Sequence, residues 1–262
     1  MGASKNKRQK FLIDHPYCCF CGGQDLATTI DHIPARICFP GRNGPDGFEF
    51  PACAVCQSAS RQDELAFGYF VRLIDPSNVN YRSEEIRKAV TGIKNNLPHL
   101  LPKFDLSARE KRKALVAMGH DKPINLATSD IPSVAIPAEI DLHVHRYARK
   151  LAAALYYREK EKPISPQSIM WTRWCLATDK RQMDRFLQVA EMMPLKTIGA
   201  RPNLNFGNRF GYRFDKGNDN DLFSAMAQFG QGLVVAMLVV DAESAKALDE
   251  DDGWVPASAV FR

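Results

Sequence analysis

The chain has 262 residues, of which 45% are apolar and 25% charged, the composition of a soluble globular protein with one or two domains. Its longest uninterrupted apolar run, Leu233 to Val240, is far shorter than the ~20 residues that a membrane-spanning helix needs, so no membrane partner is expected. The start shows no pattern of a secretory signal, so we expect a cytoplasmic protein. The net charge is +5, and the excess of positive charge lies in the middle third, where residues 76–160 hold 15 basic and 9 acidic side chains.

The N-terminal part of the chain divides into two segments. Residues 1–10 are rich in Lys and are predicted to be a basic, flexible arm. Residues 11–75 are rich in Gly, Pro and Cys, and their apolar runs are short until Gln62 to Ile74, where the apolar spacing predicts a helix. Such a segment is poor in core-forming side chains, so we expect a bound metal ion to stabilise it.

Two Cys-x-x-Cys pairs in this segment predict a structural zinc site. The ligands would be Cys18, Cys21, Cys53 and Cys56. Two residues between thiolates allow both sulfurs to bind one ion at about 2.3 Å, and four such ligands form a closed tetrahedral site without an open position for catalysis. A chain without an export signal is expected in a reducing compartment, which argues against disulfides. Cys19, by a shift of register, and His15 remain alternative ligands.

Between the two pairs lies the step Asp31-His32, in the run IDHIP. Neighbouring strand residues face opposite ways, so these two side chains can share a site only where the strand ends, and Pro34 favours such an end. Residues 41–47 (GRNGPDG) then turn the chain back into a second strand, and a helix is expected from about Cys56. This unit would bring a carboxylate, an imidazole and a helix N-terminus together, a favourable place for a phosphate and a divalent cation.

The order CxxC, DHIP and PACAVCQ followed by RQDE resembles the HNH endonuclease superfamily in its zinc-stabilised, ββα-metal (treble-clef) form. The resemblance covers about residues 15–70, and none is seen in residues 76–262. It implies that Asp31 binds a catalytic magnesium or manganese ion and that His32 is the general base. It also implies hydrolysis of a DNA phosphodiester bond with the 5′-phosphate as a product.

Gln57 is the departure from the family pattern, because the family has Asn there as the second ligand of the catalytic cation. Its amide oxygen can bind a cation too, but it lies one methylene further from the backbone. Arg61 follows one helical turn later and is a candidate phosphate contact, with an ordinary surface arginine as the equal alternative. Asp63 and Glu64 lie on different helix faces, and we expect them to contribute indirectly or to be solvated.

The middle of the chain is predicted to be helical. One helix is expected over 84–94, and Ser107 with Glu110 forms a capping-box pattern that opens another. That second helix carries a basic run, which predicts either phosphate contacts or a solvated face: Arg109, Lys111, Arg112 and Lys113. Residues 119–136 are predicted to be a loop, after which Pro137 opens a long helix with apolar residues at three- and four-residue steps.

The last hundred residues change character. A further helix is predicted from Ser165 towards Met193. Strands are expected between about 205 and 240, in the runs NRFGYRF, LFSAMAQF and LVVAMLVV, with KGNDND and GQG as turns between them. Short turns between three strands predict an antiparallel meander, against which the helices pack.

These segments together predict an α+β protein with an N-terminal ββα-metal zinc unit, a helical middle and a C-terminal antiparallel β-meander packed with helices. The predicted boundaries are 11–75 for the zinc unit and 76–262 for the rest, which contains a basic strip over 82–160. The predicted function is a metal-dependent DNA endonuclease of a defence or mobile-element system. The alternative is a catalytically inactive zinc module that binds nucleic acid or a protein partner. Residues 76–262 would bind DNA or a partner, or pair two chains.

Overall fold

The structure of the protein is a computed structural model, which describes residues 2–75, 84–120, 133–192, 197–198, 209–217, 222–245 and 253–259. The helices in it are α1 Gly2–Asp14, α2 Ala54–Ala59, α3 Arg61–Ile74, α4 Glu84–Asn96, α5 Ala108–Ala117, α6 Ile140–Lys160, α7 Lys180–Met192 and α8 Ala242–Ala245. The strands are β1 Thr29–His32, β2 Glu49–Ala52, β3 Ile169–Leu176, β4 Thr197–Ile198, β5 Phe210–Asp215, β6 Phe223–Phe229, β7 Leu233–Val240 and β8 Val255–Pro256. The expectation of a mixed helix-and-sheet protein is therefore confirmed.

Near the N-terminus, β1 and β2 form a two-stranded antiparallel hairpin that leads directly into α2. In its register, Asp31 lies opposite Phe50 and His32 lies opposite Glu49. The thiol of Cys53 caps the start of α2 by accepting the backbone N–H of Cys56. The strand–turn–strand–helix order predicted from the sequence is present, and β1 ends at His32.

The helix α6 lies at the centre of the molecule, because it packs against α3 on one side and against the large sheet on the other. Its spacing predicted a long amphipathic helix, and the apolar side chains at that spacing are buried. The aromatic ring of Tyr147 stacks on Phe67 of α3 at a centroid distance of 3.9 Å. This packing brings α6 beside the hairpin as well, since the Tyr147 hydroxyl accepts the backbone N–H of Ala35 at 2.7 Å.

The large sheet has six antiparallel strands in the order β4-β5-β6-β7-β3-β8. Its consecutive strands β5, β6 and β7 are the predicted meander, although residues 205–208 and 218–221 of that prediction lie outside the described residues. The helix predicted from Ser165 is wrong over its first half, because β3 pairs along its full length with β7. The run IMWTRWCL is rich in β-formers and buries alternate residues at its start, the two-residue period of a strand.

A small apolar cluster lies between β3, β7 and α7, and one large core contains most of the other buried apolar side chains of the described residues. The large core joins side chains of the hairpin region, such as Phe50, to α6 and to sheet residues such as Phe229. Of the segment predicted to be a flexible arm, the described residues 2–10 belong to α1, whose Arg8 donates to the Thr28 carbonyl at 3.0 Å. Among the described residues, no helix combines the length and apolar character needed to cross a membrane.

In the middle region, α4 and α5 follow the prediction. The capping box is present, since the Ser107 hydroxyl accepts from the Glu110 N–H and the Glu110 carboxylate accepts from the Ser107 N–H. Side chains of α5 are exposed or half-exposed along its whole length. Most of the predicted loop over 119–136 lies outside the described residues, since these resume only at residue 133.

Candidate functional site

The four paired cysteines form one cluster in which the sulfur atoms all lie within 4.8 Å of one another. Cys18 and Cys21 come from the loop before β1, and Cys53 and Cys56 come from the start of α2. All four are free thiols, and three of them are buried. Four sulfurs at this spacing can hold a metal ion, and a set of four thiolates favours zinc in a closed, structural site.

The surroundings of the cluster already favour thiolate character in part of it. The hydrogen bond from Cys56 lowers the pKa of the Cys18 thiol to about 5, and the same bond raises the pKa of Cys56. Backbone N–H groups also point at two of the sulfurs, from Phe20 to Cys18 Sγ and from Cys56 to Cys53 Sγ, each at 3.4 Å. Donors of this kind stabilise negative charge on sulfur.

The two alternative ligands lie outside the cluster. Cys19 is buried, and burial raises its pKa well above the ordinary value, as expected for an apolar core thiol. The imidazole Nδ1 of His15 lies 2.8 Å from the Tyr157 hydroxyl, so it is engaged with the end of α6. The cluster in the structure therefore consists of the two Cys-x-x-Cys pairs and includes neither alternative ligand.

His32 lies at the end of β1 with 31% of its side chain exposed. Its Nε2 accepts a hydrogen bond from the guanidinium of Arg36 at 2.8 Å, and Oε1 of Glu49 is 3.4 Å from the same nitrogen. Burial, followed by the charge of Arg36, lowers the pKa of His32 below its ordinary value, although Glu49 and Asp31 act in the opposite direction. The imidazole is therefore neutral at neutral pH, with Nε2 as its acceptor.

Asp31 points into the protein, where only 7% of the residue is exposed. Its Oδ1 accepts the backbone N–H of His32 at 2.8 Å, and its Oδ2 lies 2.5 Å from Nζ of Lys150 on α6. The same ammonium donates to Ser60 Oγ at 2.7 Å and to the carboxylate of Glu64. Asp31 and His32 thus share one strand end but have different partners.

The ammonium of Lys150 is fully buried, a placement that costs several kcal/mol unless the charge is paired. Burial acts to lower its pKa, but the two carboxylates outweigh burial, and the pKa lies above the ordinary lysine value. Lys150 therefore remains charged at neutral pH. The pKa of Glu64 is raised, chiefly by its own burial.

The donors expected for a catalytic magnesium or manganese ion do not fit together as a cation site in this structure. Both oxygens of Asp31 already have donors, and within the described residues the half-buried side chain of Gln57 has no hydrogen-bonding partner. A divalent cation on Asp31 would also lie beside the ammonium of Lys150. Repulsion between charges of +2 and +1 at ~4 Å is about 8 kcal/mol at an effective dielectric constant of ~20.

The expected nucleic-acid contacts lie apart from one another. Arg61 is exposed at the start of α3, one turn from Gln57 as predicted. The basic run over 109–113 lies on α5, whose C-terminal end meets α7 through the hydrogen bond from the Lys180 N–H to the Met118 carbonyl at 3.1 Å. The structure brings neither group into contact with the side chain of His32.

Reasoning from the sequence missed several residues of this site. Lys150 lies three residues after Tyr147 on the apolar stripe of α6, and a lysine at a core position is itself a signal that a carboxylate partner is needed. Arg36 and Glu49 have no such signal, because the contact of Glu49 with His32 depends on the hairpin register and that of Arg36 depends on the turn after β1. For Asp63 the prediction allows an indirect contribution or a solvated side chain, and the structure excludes solvation, since Asp63 is buried and pairs with His143 of α6 at 2.7 Å.

The arrangement as a whole has two chemical capabilities. The four thiols can hold a metal ion that fastens the loop before β1 to the start of α2. At the end of β1, His32 can accept a proton, and the exposed Arg36 can donate to an anion. No protein-family model, curated protein or solved structure matches the chain.

We expect the purified protein to contain one zinc ion per chain and Cys21→Ala to lose it. Losing one of four thiolates costs several kcal/mol of metal-linked stability. The melting temperature should therefore fall by about 5–10 °C, since ~1 kcal/mol corresponds to ~2–4 °C in a chain of this size. Cys19→Ala is the matched control and should retain zinc. Elemental analysis with thermal melting measures both, and zinc loss in Cys19→Ala instead would contradict the assignment of ligands.

Replacing Lys150 by Met should leave Asp31 and Glu64 buried without their cation. We expect the free energy of unfolding to fall by about 3–5 kcal/mol, the usual cost of breaking a buried ion pair. The same change at Lys94, which is exposed on α4, should change it by less than about 0.5 kcal/mol. Chemical denaturation of the two variants tests this, and equal stabilities would show that the pair contributes nothing.

Proposed function

We propose that the protein is a zinc-stabilised nuclease of the HNH type, which hydrolyses phosphodiester bonds of DNA with His32 as the general base. The observation that supports it best is the neutral, partly exposed imidazole of His32, held at the end of β1 with Arg36 on its acceptor nitrogen. A base must be unprotonated at the working pH, and a residue that can bind phosphate should lie beside it. The β1–β2–α2 order and the four-cysteine cluster agree with the ββα-metal unit that the resemblance implies.

The proposed reaction is in-line hydrolysis by one water molecule. His32 Nε2 takes a proton from the water while the water oxygen forms a new bond to phosphorus. The bond from phosphorus to the 3′-oxygen breaks, and the leaving oxygen takes a proton from solvent. The products are a 5′-phosphate and a 3′-hydroxyl, and the proton on His32 returns to solvent, so that atoms and charges balance.

Arg36 has two successive roles in this scheme. In the free protein its guanidinium donates to His32 Nε2, so the base has no free lone pair for a water molecule. A phosphate group offers a fork of charged acceptor oxygens, a better partner for guanidinium than a neutral imidazole. Binding of the phosphodiester would therefore draw Arg36 away from Nε2 and leave the base free to accept a proton.

The zinc ion would supply structure to this scheme and no chemistry. The strands β1 and β2 have four residues each, and an isolated two-stranded hairpin of that size is marginal in water. A zinc ion on the four cysteines would fix the hairpin to α2 and would keep His32 at a defined position. Because the catalytic cation implied by the resemblance does not fit around Asp31, the scheme has no step through such an ion.

A second candidate is a zinc module that binds nucleic acid without cutting it. The observation in its favour is that the two residues expected to bind the catalytic cation do not form a cation site. Asp31 is paired with Lys150, and the amide of Gln57 has no partner among the described residues. In this hypothesis the exposed Arg36 and Arg61 contact phosphate groups, and no reaction takes place at His32.

We expect wild-type protein to nick supercoiled plasmid DNA and His32→Ala to lose at least ~100-fold of that rate, the usual contribution of a general base. Agarose gels of the time course, with and without added magnesium or manganese, measure the effect. The matched control is His120→Ala, because that ring binds the Thr178 carbonyl far along the chain from the hairpin. Equal rates in wild type and His32→Ala would refute the nuclease, and DNA binding without any nicking would favour the second candidate.

The pH profile of nicking should carry the signature of His32. The pKa of His32 lies below the ordinary value of ~6.5, so the imidazole is neutral above that lowered pKa. The nicking rate should fall as the pH drops through the lowered pKa, because the protonated imidazole cannot act as a base. Arg36→Gln removes one of the causes of the shift, so the acid limb should move to higher pH. Arg42→Gln, an exposed arginine of the same loop, is the control and should leave the midpoint in place. A midpoint that stays fixed in Arg36→Gln would contradict the assignment of the base.

A further inference from the structure

The ammonium of Lys150 is coordinated in the way that a metal ion is coordinated. Its Nζ lies 2.5 Å from Asp31 Oδ2 and 2.7 Å from Ser60 Oγ, and it contacts a carboxylate oxygen of Glu64. The fourth side is covered by the ring of Phe20, whose centroid is 4.8 Å away. No part of the Lys150 side chain is exposed.

The position of this ammonium is as informative as its partners. Two carboxylates and a hydroxyl are hard oxygen donors, the kind that a divalent cation prefers. These donors lie on β1 and at the start of α3, which directly follows α2. The resemblance assigns the catalytic cation to the same region, between β1 and α2. Phe20 lies between Cys18 and Cys21, so the four-cysteine cluster also adjoins this site.

We propose that the ammonium of Lys150 takes the place of the divalent cation beside Asp31, so that the hydrolytic site works without magnesium or manganese. The hydrolytic half of this proposal rests on the proposed function. The pairing of Lys150 with Asp31 rests on the contacts alone, so the two halves can be tested separately.

A fixed lysine and a bound cation differ in what they can do. Lys150 is buried and cannot contact a substrate, so it is a positioning residue and not a catalytic one. It holds the carboxylate of Asp31, whose other oxygen accepts the backbone N–H of His32 at 2.8 Å. Through this chain of contacts Lys150 fixes the strand end that carries His32. Its charge is covalently attached, so the site is complete at any concentration of divalent cation.

Manganese binding tests the pairing without reference to activity. The zinc-containing protein is titrated with Mn²⁺, and free Mn²⁺ is followed by electron paramagnetic resonance. We expect wild type and Asp31→Asn to give the same titration curve, because no Mn²⁺ binds at Asp31. Binding of Mn²⁺ by wild type that Asp31→Asn loses would overturn the proposal.

A second measurement needs no variant and so does not depend on the folding of Asp31→Asn. Mn²⁺ broadens the NMR signals of nuclei close to it, and the backbone amides of Asp31 and His32 report on this site. Unchanged line widths at these amides, with Mn²⁺ in excess over protein, support the pairing with Lys150. Selective broadening of both amides would overturn it.

Plasmid nicking tests the hydrolytic half, with zinc content measured in the same samples. We expect the rate in buffer freed of other divalent cations to lie within about twofold of the rate with added Mg²⁺, since no catalytic step passes through that ion. A tenfold or larger stimulation by Mg²⁺ or Mn²⁺ would overturn the proposal and leave the nuclease assignment in place. Absence of nicking under every condition would refute the proposed function, whereas the manganese data would still decide the pairing.

Discussion

A buried ion pair between α6 and the β1–β2 hairpin is the interaction on which the rest of the site depends. The ammonium of Lys150 is excluded from water, and its charge is tolerated because Asp31 and Glu64 accept from it. The pair therefore couples two distant parts of the chain, since the hairpin and α6 each supply a charge that the other must neutralise. Folding of α6 without the hairpin would leave the buried ammonium with only one of its two carboxylates.

The hairpin is held from two directions. On one side the four cysteines connect the loop before β1 to the start of α2, and on the other side Tyr147 and Lys150 of α6 contact its residues. Such support is needed, because two strands of four residues have little stability of their own. These contacts hold the end of β1 on both sides, while part of the His32 side chain stays open to solvent.

The side chains of the adjacent residues Asp31 and His32 point in different directions. Asp31 is directed inward, where it serves the ion pair, and His32 is directed towards Arg36 and Glu49 near the surface. The proposed chemistry accordingly assigns the proton transfer to the imidazole and the phosphate contact to the guanidinium. The carboxylate has a structural task, and the proposed chemistry therefore requires no cation ligand at position 57.

Features that depend on short spacing along the chain were predicted correctly from the sequence: the two Cys-x-x-Cys pairs, the strand end at Asp31-His32, the capping box of α5 and the apolar stripe of α6. The prediction from sequence misassigned β3, although its run is rich in β-formers, because this strand stands between helical segments and its pairing partner β7 lies far along the chain. The partners of the site side chains depend on how distant segments pack together. Lys150 and Asp31 lie 119 positions apart, and no local pattern can pair two charges whose meeting depends on how a helix packs against a hairpin.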